Sequence, residues 1–235
     1  MNTTKTRIFN PMPEFPKRIS IRGKKFNDTE DSITCIIVNA ARISRAYYTD
    51  TYESGKVVRP TCWSSDTQVP SKDVPDEQRQ AARCMDCIHN IRGSGYGSSR
   101  ACRFLQRLAV VLENELDTVY QLRLPAASIF GQPRDGNMPM QAYARFLEGR
   151  GTSAVAIVTQ IYFDTNSYTP KLFFKPSRPL EEEEYKMVSK MIDHPDTIKA
   201  ITLEFSSLFF EGTRTSPFES TDGFQFKQQE INTYG

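Results

Sequence analysis

Residues 154–176 read AVAIVTQIYFDTNSYTPKLFFKP, and this stretch decides the fold class. Two runs rich in β-branched and aromatic residues, 154–165 and 170–176, flank a polar Asn166-Ser167 turn. Alternation sends Val155, Ile157, Ile161, Phe163, Leu172 and Phe174 to one face and leaves Tyr162, Lys171, Phe173 and Lys175 on the other. That pattern predicts a β-hairpin with one buried face.

Further strands are predicted on the N-terminal side. RLAVVLE (107–113) and VYQLRLP (119–125) form a second pair around a short Asn-Glu-Leu-Asp connection. Ser32 to Tyr48, SITCIIVNAARISRAYY, reads as one long strand, followed by a Ser54-Gly55 turn and a strand at KVVRPTCW (56–63). Helical spacing occurs in MPMQAYARFLEG (138–149), with Gly149 and Gly151 at its end, and from Leu180 to Ile192. The four glutamates 181–184 at the second helix start complement the positive helix end. Many short strands with few, late helices predict a mainly β, α+β chain arranged as an OB-like Greek-key barrel. The expected organisation is an N-terminal arm at 1–31 wrapping the surface, a barrel at 32–210 and a C-terminal tail at 211–235. A cysteine-bearing insertion interrupts the barrel at 62–103.

Composition narrows the function classes. The chain has 235 residues, 38% of them hydrophobic, which supplies a core and argues against wholesale disorder. No apolar run is long enough to span a membrane, and the first 15 residues do not read as a signal peptide. Residues 1–178 carry 25 Lys+Arg against 17 Asp+Glu, whereas residues 179–235 carry 5 against 11. A basic body with an acidic last quarter suits contact with a polyanion.

Four of the five cysteines are spaced Cys62-x21-Cys84-x2-Cys87-x14-Cys102. A C-x2-C knuckle brings two thiolates to one ion from a tight turn, and two further thiolates close a tetrahedral shell, the chemistry of structural zinc. A redox C-x-x-C would need a flanking βαβ pattern, which is missing here. His89 stands two residues past Cys87 and is an alternative ligand, while Cys35 lies in an apolar run as a small buried hydrophobe. Catalytic zinc is not expected, because neither His-x-Glu with Pro-Cys-x-x-Cys nor H-E-x-x-H occurs. The G-x-S-x-G and G-x-x-x-x-G-K-[ST] motifs are absent too, so no enzyme and no small-molecule substrate is predicted.

Residues 79–107 hold six arginines, no lysine and one acid, Asp86. Arg92, Arg100 and Arg103 surround the loop RGSGYGSSR, whose amides, hydroxyls and Tyr96 suit contact with a phosphate backbone. Arg42, Arg45, Tyr47, Tyr48 and Arg59 interleave charge with rings further upstream. Together with Tyr162, Lys171 and Phe173 these residues form the predicted nucleic-acid contact set, with rings stacking on unpaired bases.

The runs CWSSD, CMDCIHNIRGSGYGSSRACRFLQRLAVVLENE, VYQLRLPAASIFG and YTPKLFFKP resemble a group of bacteriophage single-stranded DNA-binding proteins that set a zinc-binding loop into an OB-type barrel. The resemblance runs from about Ser32 to Ile201. It implies zinc on Cys62, Cys84, Cys87 and Cys102, with the DNA strand held by basic and aromatic residues. It also implies sequence-independent binding in phage DNA replication or recombination, phage replication proteins as partners, and the host cytoplasm as location. Many relatives of that kind use one histidine in the metal shell, which keeps His89 in view, and such proteins often end in a strongly acidic tail. Here the last 17 residues hold only Glu219, Asp222 and Glu230 against Lys227, so recruitment of partners through the tail is not expected. Two other readings stay open at this point: a zinc-stabilised phage transcription or interaction factor, and a metal-dependent nuclease.

Overall fold

The computed structural model describes residues 16–49 and 59–202. Residues 1–15 of the expected arm, the Ser54-Gly55 turn, residues 56–58 of the expected strand and the expected tail lie outside the described residues.

The strands are β1 (Lys17–Arg18), β2 (Ser32–Ala40), β3 (Ser44–Tyr47), β4 (Cys62–Ser64), β5 (Arg103–Leu112), β6 (Glu115–Pro125), β7 (Ile157–Phe163) and β8 (Leu172–Pro179). The helices are α1 (Ala126–Ile129), α2 (Met140–Glu148), α3 (Glu182–Ser189) and α4 (Pro195–Ile201). The protein is thus mixed α+β and mostly sheet. Its sheet runs β1-β6-β5-β2-β7-β8, with β3 pairing both β5 and β4. β1 and β8 end the path, and no strand pairing closes it among the described residues.

The predicted long strand at 32–48 is two strands on one line. β2 pairs β5 from Cys35 opposite Leu112 to Ala40 opposite Leu108, and β3 continues from Ser44 opposite Leu105 to Ala46 opposite Arg103. Both predicted hairpins form, with Arg107 opposite Arg123 in β5–β6 and Tyr162 opposite Phe173 in β7–β8.

Two cores lie on opposite faces of the sheet. On one face Leu108, Val110, Leu122, Leu124, Ile161 and Phe174 pack with Tyr143 and Leu147 of α2. Ile19, Ile21 and Phe26 join them, so the described part of the expected surface arm supplies core side chains instead of only wrapping it. On the other face Ile36, Ala109, Val111 and Val158 pack with Val188 of α3 and Ala200 of α4. Gln121 fixes α4 to the sheet by donating to the Ala200 carbonyl at 2.6 Å.

The glutamate run behaves as predicted. Glu181 is the N-cap of α3, and its side chain and that of Glu184 form a reciprocal capping box. The sequence pattern did not predict the short helix α4; its seven residues begin at Pro195, and His194 caps it by accepting from the Asp196 amide.

Candidate nucleic-acid interface and cysteine pocket

Residues 62–102 build a lobe at the end of the β3–β5 line. Its floor is a cluster of Ala46, Cys62, Trp63, Val74 and Leu105, with Tyr47 and Tyr48 packed against it. Asp66 turns the chain after β4, its Oδ1 accepting from the Ser64 hydroxyl and the Gln68 amide, and the latter bond holds its carboxyl below the ordinary range. Arg79 ties the lobe together by donating to the Val74 and Lys72 carbonyls and pairing with Asp76.

Cys62, Cys84, Cys87 and Cys102 line one small pocket with Arg45, Tyr47, Trp63 and Gln80. All four are buried and carry free thiols. Burial pushes the Cys62 and Cys84 thiols up and lifts that of Cys102 to about 12. The donor set, all sulfur and drawn from β4, the knuckle and the residue just before β5, has the composition of a closed zinc shell. The side chains do not stand in a coordination sphere: among the described residues no group of three or more Cys, His, Asp or Glu is arranged to hold a metal ion.

His89 is engaged elsewhere. Its ring stacks on Tyr47 at 3.8 Å, and its Nε2 is 3.1 Å from Gln80 Oε1. Its carbonyl accepts from the Cys102 amide at 2.9 Å, which clips the last cysteine to the knuckle.

The glycine loop folds on itself. The amides of Gly93 and Gly95 both donate to the Ser99 carbonyl, and the Ser94 hydroxyl serves the His89 and Ile91 carbonyls. Gly95 has no room for a side chain, since a Cβ would meet Ser99 Oγ at 2.6 Å and the Arg100 backbone at 2.9 Å. The amides of Gly93, Ser94, Gly95 and Ser99 and the hydroxyls of Ser94 and Ser99, expected to meet phosphate, are therefore engaged inside the loop. What the loop presents outward is side chains: Arg92, Arg100, Arg103 and Tyr96, the last 78% exposed. Arg100 also donates from Nε to the Asn90 carbonyl at 2.6 Å.

The upstream contact set divides. Arg42 is exposed in the break between β2 and β3, and Arg59 is half-buried with its guanidinium over the Trp63 ring at 5.0 Å. Arg45 corrects the expectation of an open contact, because it is buried over the Phe104 ring at 4.1 Å and donates to the Cys84 carbonyl. Tyr47 is half-buried on His89. Tyr48 points its hydroxyl into the interior, where burial pushes its phenol strongly up.

The second ring group is elsewhere. Tyr162 pairs with Ser32 at the start of β2, whereas Arg103 pairs with Ala46 at the end of β3, so the two sets lie at opposite ends of one strand line. Tyr162 bonds Asn137 through its hydroxyl and lies 6.1 Å from Phe173. Lys171 pairs with Asp164 at 2.8 Å and covers Phe173, which is only 9% exposed and so is no stacking platform as it stands. Alternation placed these side chains on the right face but could not say that the face is covered.

Arg123 is half-buried directly across from Arg107, and only the strand register brings them together. No family model, no curated protein and no solved structure matches this chain. No helix of the described residues is long and apolar enough to cross a membrane.

Proposed function

We propose that this chain binds single-stranded DNA independently of sequence, as a phage-type replication or recombination protein. The OB-like barrel reading of its sheet belongs to the same proposal. The observation that carries it is the concentration of Arg92, Tyr96, Arg100 and Arg103 on the exposed surface of a lobe based on a four-cysteine pocket. Arginine forks bind phosphate oxygens, and an exposed ring beside them offers a stacking surface for an unpaired base. Zinc on Cys62, Cys84, Cys87 and Cys102 would brace that surface, since such a site contributes its binding free energy to folding. Loading it requires the thiols to lose their protons and the side chains to close on the ion.

One feature favours a second reading, a zinc-stabilised interaction factor. Met85, Ile88 and Ile91 are all exposed on the same lobe, and apolar side chains grouped at a surface suit a protein partner. Titration of poly-dT against duplex DNA over a range of salt, with zinc analysis and a nuclease assay on the same sample, separates the readings. Tight, salt-sensitive binding of poly-dT without cleavage supports the proposal. Absence of oligonucleotide binding moves the function to the apolar surface, and cleavage revives the nuclease reading.

A further inference from the structure

Arg45 is a buried cation that the DNA-binding reading leaves without a task. β3 runs between β4 and β5, and Arg45 stands opposite Ser64 on one side and Phe104 on the other. Cys62 and Cys102 lie two residues before those partners, and the pleat returns a chain to the same face every second residue. Arg45 and the four cysteines accordingly line one pocket.

The guanidinium is only partly engaged there. It donates from Nη1 to the Cys84 carbonyl at 3.3 Å, and its carbon lies 4.1 Å from the centre of the Phe104 ring. Arg45 is 5% exposed, its Nε is buried without a hydrogen-bond partner, and no acid pairs with it among the described residues. A buried donor costs free energy until an acceptor reaches it, and a guanidinium keeps its charge at neutral pH.

The Ser64 hydroxyl and the Gln80 side chain of the same pocket already serve Asp66 and His89. The four cysteines supply the groups that become anionic on binding a metal. Cys62 is served by the Gln80 backbone amide. At Cys102 burial lifts the thiol, and the first influence opposing it is the Arg45 charge. Four thiolates around one dication leave two negative charges in a buried place, which calls for a cation and for donors to the sulfurs.

We propose that Arg45 is a positioning residue of the metal shell: on loading, its Nε–H donates to the Cys102 thiolate, and its charge offsets one of the two left over. The inference rests on the zinc reading of the pocket. Arg45 thereby fastens the shell to the sheet, since its backbone belongs to β3 and its fork also holds the Cys84 carbonyl.

Full-length protein, reduced and freed of metal, is titrated with zinc against a competing chelator. Wild type is expected to bind one equivalent. Arg45→Met is expected to bind it about 10–100-fold more weakly, the usual loss when a group that orients a metal ligand is removed. So that the result does not depend on the variant folding, wild-type protein loaded with a spin-active cadmium isotope is followed by NMR. A coupling between the metal and the Arg45 Nε proton, carried across the sulfur, is expected. That coupling, with weaker zinc binding wherever the variant folds, supports the proposal. A wild type that takes up metal without the coupling overturns it and leaves the zinc reading standing. A folded variant with wild-type zinc affinity does the same, since Arg45 then only packs the lobe. A wild type that binds well under half an equivalent removes the zinc and this role together.

Discussion

The rings of Tyr47 and His89 stack 3.8 Å apart and 14° from parallel, joining β3 to the cysteine knuckle. This contact occupies the one histidine that could replace a thiolate in the proposed zinc shell. His89→Ala is therefore expected to keep a full zinc equivalent and to lose about 0.5–1.5 kcal/mol, the worth of a ring pair beyond its buried area. Cys102→Ser is expected to lose the metal and unfold the lobe. Zinc analysis beside thermal melting checks both. Well under half an equivalent in the wild type would remove zinc from the account.

Charge on the loop is expected to act without regard to sequence. Arg92 is exposed and serves no internal bond in the loop, so Arg92→Ala should weaken binding to every oligonucleotide alike. The dependence of log affinity on log salt should flatten by about 0.7 for each phosphate that is no longer neutralised. Arg100→Ala should do the same and also loosen the loop, because Arg100 holds the Asn90 carbonyl. Binding that changes with base sequence while ignoring salt would mean that the loop reads bases.

Acid sensitivity should centre on α3. Arg178 grips Glu184 through two bonds of 2.7 and 2.8 Å and reaches Glu113 at 2.8 Å. The Arg178 bond, helped by the Glu181 amide, holds the Glu184 carboxyl down to about 2, against an ordinary 4.5. A carboxyl depressed in the folded state stabilises fully above its unfolded value and stops doing so as pH falls through its folded one. Melting temperature should accordingly drop between pH 4.5 and pH 2, and Arg178→Met should lower it at neutral pH while flattening that drop. A variant with the same acid limb as the wild type would show that the ion pair does not couple to folding.

Legibility in the sequence followed the number of faces an element exposes to choice. The β7–β8 hairpin, the β5–β6 hairpin and the start of α3 were readable because alternation, turn residues and helix-end charge are local signals. Alternation separates two faces without saying whether each is open. This sheet is covered on both, by α2 and the 16–31 segment on one side and by α3 and α4 on the other. Arg45 thus enters the lobe interior although its neighbours in sequence suggested an open basic strand. The short segment holding Ile19, Ile21 and Phe26 has no periodicity to announce its burial, and α4, at seven residues, is too brief for its own pattern. The four-cysteine spacing did find residues that the fold brings to one pocket.

Phe173 and Tyr96 make the sharpest paired test, because one ring is covered and the other is not. Phe173 is 9% exposed beneath the Lys171 ammonium, which lies 4.5 Å from its ring centre, and Tyr162 flanks it at 6.1 Å. Phe173→Ala should cost about 3–5 kcal/mol of folding stability, the usual range for a buried phenylalanine, and leave oligonucleotide affinity unchanged in the folded fraction. Tyr96 stands 78% exposed between Arg92 and Arg100, so its removal should leave the melting temperature near that of the wild type. If its ring stacks on a base, Tyr96→Ala should lose about 1–3 kcal/mol of binding. Measuring denaturation and poly-dT affinity on both variants gives opposite patterns for the two positions. The reverse outcome, a stable Phe173→Ala that no longer binds, would mean that Lys171 swings aside to admit a base and would transfer the stacking platform to the β7–β8 end of the sheet.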